Sequence, residues 1–209
     1  MALWMQWYNC VKVLRPACSR SATFMWLVLS LVGMSIRTES LGVTSFLRAV
    51  GLKESCYPRF LHFFHTPALK LESLTGCWVK LVRVLFKPLM VAEHIILVVD
   101  GLKVAKEGRK MPAVKKLHQE SGNNSKPQYI WGHSFQVVAM LVQGVFGSVF
   151  AVPLVSRIHE GVVFSNRDKR TLIDKMLDST EFCHSGLSGI YNPLIFPDSR
   201  QAGMTTAWS

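Results

Sequence analysis

The run His94-Ile95-Ile96-Leu97-Val98-Val99-Asp100 does most to limit what this chain can become. Its aliphatic residues are unbroken, mostly β-branched, and close on a carboxylate. β-Branched side chains lose rotamer freedom in a helix and pack well on a pleated surface, so the run reads as a strand buried on both faces of a sheet. Such a strand needs neighbours, and two further apolar runs supply them, at 128–144 and 149–158. Gly144-Val145-Phe146-Gly147-Ser148 joins the two, a short glycine-containing link that predicts an antiparallel hairpin. Pro153 lies inside the last run, and because it cannot donate to a ladder it demands an edge or a bulge. After the hairpin, Asn166-Arg167-Asp168 marks a helix start, and Leu172, Ile173, Met176 and Leu177 then share one face up to Asp178.

Before position 91 the periodicity is helical. Leu41, Phe46, Leu47 and Val50 precede a break at Gly51-Leu52, and Leu61, Phe63 and Phe64 follow it. That is a helix, a tight glycine turn and a second helix. The size suits a helix-turn-helix, although any helical hairpin gives the same spacing. Arg48, Lys53 and Arg59 are its candidate phosphate contacts. A further helix is expected over 69–86, with Lys70, Lys80, Arg83 and Lys87 among its polar positions. The lysine-rich stretch 101–126 reads as a solvated loop, and 179–209 as an irregular tail without a sustained period. The fold class is therefore α/β in the broad α+β sense: a basic helical region over 1–90, a partial mixed sheet over 91–178, and the tail.

Charge narrows the partners. The chain carries 24 Lys+Arg against 13 Asp+Glu, a formal +11, while 49% of its residues are hydrophobic. So apolar a chain is not a disordered basic tail; it calls for a core plus an anionic partner. Residues 1–90 hold 11 basic and 3 acidic side chains, so most of the excess is N-terminal. A surface of that sign attracts nucleic acid or anionic lipid alike. The uncharged stretch 21–36 has 16 residues. As a helix it reaches about 24 Å, short of the ~30 Å hydrocarbon core, and is read as a buried helix, with a membrane anchor as the alternative. Cys10, Cys18, Cys56, Cys77 and Cys183 form no CxxC pair and no zinc spacing, which points to reduced thiols and a cytoplasmic chain.

One combination is more specific. Leu97-Val98-Val99-Asp100-Gly101-Leu102-Lys103-Val104-Ala105-Lys106, then Gly108-Arg109-Lys110-Met111-Pro112, then Tyr129-Ile130-Trp131-Gly132-His133-Ser134-Phe135, resembles the opening of the catalytic domain of insertion-sequence transposases. Their Asp-Asp-Glu triad sits on a ribonuclease-H-like fold. The region 42–65 is similar to the helical part that precedes that domain, and the resemblance covers about residues 20–178. It implies that Asp100 is the first triad carboxylate and a Mg²⁺ ligand, and that Lys106, Arg109 and Lys110 lie beside the site against DNA phosphate. Paired Mg²⁺ ions in such a site activate the attacking oxygen and stabilise the leaving one, which one Asp alone cannot arrange. DNA is the implied partner, and a homo-oligomer is a further expectation. The family's pattern next requires a strand ending in a second Asp and later a helical Glu. After Asp178 the nearest candidate, Asp198, follows Phe196-Pro197, a poor strand end. The expectation is therefore a truncated or frameshifted transposase, catalytically incomplete, with a non-catalytic basic DNA-binding module as the alternative.

Overall fold

The computed structural model describes residues 2–38, 42–106, 108, 111–118, 128–159 and 172–187. Helices come first: α1 (Ala2–Lys12), α2 (Ser21–Ile36), α3 (Gly42–Val50), α4 (Tyr57–Phe63) and α5 (Leu71–Leu85). Strands follow: β1 (Met90–Val91), β2 (His94–Ile95), β3 (Leu97–Ala105), β4 (Lys115–His118), β5 (Tyr129–Gln143) and β6 (Val149–Ile158). Helix α6 (Leu172–Leu187) packs back onto the sheet.

The helical unit forms around aromatic rings. Phe60 of α4, 1% exposed, meets Trp26 of α2, Phe46 of α3, Phe63 and Phe64 at centroid separations of 5.5, 6.3, 6.3 and 5.4 Å. Leu27 and Val28 of α2 and Val11 of α1 complete this core. Helices α2 and α3 cross so closely that a Cβ on Gly33 would stand 2.9 Å from the Phe46 Cβ. The break expected after Val50 is a Schellman motif. Gly51 takes φ +70°, its N–H donates to the Arg48 carbonyl, and the Leu52 N–H donates to the Leu47 carbonyl. Helix α2 buries Phe24, Leu27, Val28 and Gly33 but leaves Met25, Met34 and Ile36 exposed, so the buried-helix reading of 21–36 holds for one face only; no described helix is long and apolar enough to cross a membrane.

In the second half, β5 is the centre of an antiparallel sheet. On one side β3 pairs from Leu97↔Met140 to Ala105↔Gly132. On the other, β6 pairs from Phe135↔Ile158 to Gln143↔Val149, and β4 prolongs that flank from Lys115↔Gly132 to His118↔Tyr129. The β5–β6 hairpin agrees with the sequence reading. Its link turns through Phe146 (φ +57°) and Gly147 (φ +77°), and the Gly144 N–H donates to the Ser148 carbonyl. Pro153 sits at a bulge, because the register jumps from Val138↔Val155 to Ala139↔Pro153 and leaves Leu154 over.

A second core lies between this sheet and α5 and α6. Val79 and Val82 of α5 and Cys183 of α6 pack on Val138, Met140, Val142 and Leu154, with Leu97 and Val99 of β3 at the margin. Helix α5 serves both cores, since Trp78 touches each, and its indole N–H donates to the Pro153 carbonyl at 2.8 Å.

Three expectations are corrected here. Strand β3 is not buried on both faces and does not end at Asp100. It runs on to Ala105, because β5 continues to offer partners as far as Gly132, and only alternate residues face the helices. Val98, Leu102 and Val104, on the other face, are exposed. Within the lysine-rich stretch, 115–118 is strand rather than loop: Leu117 and the preceding Val114 are buried, while Lys116 stays outside, its ammonium 4.5 Å from the Tyr129 ring centroid. Finally, α6 continues past Asp178 to Leu187, nine residues into the stretch without a visible period.

Candidate nucleic-acid interface

The first-half cations are outside because the aromatic core takes the other face of each helix. Arg48 on α3, Lys53 in the link and Arg59 on α4, the three expected phosphate contacts, are all exposed. Lys12 and Arg20 add to the same sign. Between the start of α2 and α4 lies a cavity of about 400 Å³, lined by Arg20, Thr23, Trp26, Arg59, His62 and Thr66 among others. Arg59 is therefore both an expected contact and part of a concave site.

Asp100 stands apart from this surface, on β3. Its Oδ1 accepts a 2.7 Å hydrogen bond from the Gly101 N–H, and the side chain is exposed. Strand alternation puts Leu102, Val104 and Lys106 on its face, and the Lys106 N–H, donating to the Trp131 carbonyl at 2.8 Å, holds that register. Arg109 and Lys110, the other expected neighbours, lie outside the described residues. Lys103 faces the opposite side, where its ammonium donates to the His118 carbonyl at 2.8 Å. Lys115 has its pKa lowered, first by burial and then by the nearby Lys175.

Mg²⁺ chemistry finds little support in these side chains. Among the described residues no three His, Cys, Asp or Glu side chains gather where they could share an ion, and Asp100 is a lone exposed carboxylate. The described residues do not form a two-ion site, so no cleavage step is derived through one. His133 is buried, and its Nε2 lies 2.9 Å from the Pro112 carbonyl oxygen, a satisfied structural role. The five cysteines are unpaired.

Sequence reasoning passed over Arg20, Thr23 and Trp26. They sit more than thirty positions from Arg59 and His62, and only the packing of α2 against α4 brings them together. No known protein family, characterised protein or solved structure matches the chain.

Proposed function

We propose that this chain is a transposase-derived DNA-binding protein of the Asp-Asp-Glu class: the helical unit grips phosphate, and a ribonuclease-H-like half-sheet presents Asp100 without the carboxylates that cutting requires. One observation carries the reading. Asp100 lies on the first long strand of a sheet completed by a hairpin and followed by a helix, which is the order the motif resemblance implies. The outer edge of β3 has no described partner. A further strand joining there would carry a carboxylate at its end towards Asp100, a position that no described residue fills.

The test is incubation of the purified chain with supercoiled DNA and Mg²⁺. The expected result is no nicking above buffer, with wild type and Asp100→Ala alike. Cleavage abolished by Asp100→Ala would overturn the proposal, since it would require ligands that the sheet does not bring to Asp100. A purely binding module is favoured by a separate observation, the joint exposure of Arg48, Lys53 and Arg59. The two readings share the binding step and differ only in whether the sheet is a remnant of a catalytic domain.

A further inference from the structure

The cavity between α2 and α4 has a chemistry of its own. Its polar lining consists of the guanidinium groups of Arg20 and Arg59, the His62 imidazole, the hydroxyls of Thr23 and Thr66, and the Trp26 indole; no acidic residue lines it. Neither arginine forms an ion pair with a described residue, so both are available to a ligand. Helix α2 begins here without a side-chain cap and without an acid in its first turn, and two first-turn residues, Ala22 and Thr23, face the cavity. The uncapped amides and the helix dipole both favour an anion at that end. Thr23 belongs to the same wall. It is only 6% exposed and lines the cavity beside the start of α2.

The volume and the remaining wall decide which anion. About 400 Å³ is far more than a phosphate needs, and the apolar part of the wall is Trp26, Phe63, Pro58 and Ala22. Arginines with planar donor forks suit phosphate oxygens, and an aromatic wall beside them suits a nucleobase. We infer that this cavity binds one nucleotide of a DNA strand, its phosphate held by Arg20, Arg59 and the α2 amides, its base against Trp26, and the Thr23 hydroxyl donating to a phosphate oxygen. The site deepens the DNA-binding reading and rests on it for the source of the nucleotide.

The experiment uses the full chain. Thymidine monophosphate and inorganic phosphate are titrated by calorimetry, and octathymidylate and a mixed-sequence duplex by fluorescence anisotropy. Wild type is compared with Arg59→Gln, Thr23→Val and Lys80→Gln, with folding checked by circular dichroism. Arg59 is exposed, and Thr→Val preserves shape, so both variants should fold. Thymidine monophosphate should bind more tightly than inorganic phosphate and be displaced by octathymidylate. Arg59→Gln should weaken it about tenfold or more, Thr23→Val about threefold or more, and Lys80→Gln, exposed on α5 and outside the cavity, should leave it unchanged. Failure of thymidine monophosphate to bind, equal binding by Arg59→Gln, or no competition from octathymidylate overturns the inference. Duplex binding that survives such a failure leaves the DNA-binding reading intact. Cavity binding in a chain that ignores duplex keeps the site and removes the general reading.

Discussion

Gly132 shows how one residue can hold a sheet together. It pairs with Ala105 on one side and Lys115 on the other, and a Cβ there would meet the Val104 carbonyl oxygen at 2.2 Å and its carbon at 2.9 Å. Both are backbone atoms and cannot swing away. Gly132→Ala should therefore cost about 2 kcal/mol or more by pushing β3 off β5. Gly76, inside α5 with nothing within 4 Å of a Cβ, is the opposite case, and Gly76→Ala should add about 0.5–1 kcal/mol through helix propensity. Urea unfolding of the two variants separates a packing glycine from a merely tolerated one. Cys183 supplies a pH signal. Burial pushes its thiol up from 9.0 to about 11, against the opposing pull of Arg157. Below pH 9 folded and unfolded chains both keep the proton; between about 9 and 11 only the unfolded chain releases it, so this group's contribution to stability is lost across that window. Cys18 shifts in the same direction, through burial first, with Arg15 opposing and Cys77 adding. Lys115, lowered by burial, acts with the opposite sign, so the difference between wild type and Cys183→Ala isolates the thiol. Melting temperature should fall less steeply from pH 8.5 to 10.5 in the variant; parallel curves would contradict the assignment.

Among the elements, the hairpin was the most legible part of the sequence, since runs at 128–144 and 149–158 with a glycine link leave few alternatives, and Pro153 even marked its bulge. The Gly51 stop was equally plain. Strand β3 was harder, because whether a strand is covered on one face or two depends on what packs there, and no local pattern encodes it. Strand β4 was hidden for a similar reason: Lys115 and Lys116 look solvated, yet the pairing with 129–132 and the buried Leu117 pull them into the sheet. The same geometry leaves β3 with an outer edge that no described strand pairs and a face of exposed Val98, Leu102 and Val104. Exposed apolar edges template association. Leu102→Lys, placing a charge on that face, should lower concentration-dependent light scattering without changing the melting temperature by more than a few degrees. Scattering unchanged by the substitution would locate association elsewhere.

For the whole molecule, the two cores meet at α5, and the basic helical unit is tied to the sheet by Trp78 and by an exposed Glu72–Arg157 pair at 3.2 Å. That pair contributes well under 1 kcal/mol, so packing around Trp78 carries the junction. Of the candidate site, the sequence located the cations and Asp100 individually, whereas the cavity needed the fold, because its walls come from separate helices. The central claim is that the helical unit binds DNA phosphate. The most direct test is the affinity of the full chain for a mixed-sequence duplex, measured between about 50 and 300 mM salt. The plot of log affinity against log salt should fall with a slope of about −3 to −5, and replacing Arg48, Lys53 and Arg59 together by Gln should flatten it by about 2 to 3. No binding at the lowest salt, or a slope untouched by the triple replacement, would contradict the account.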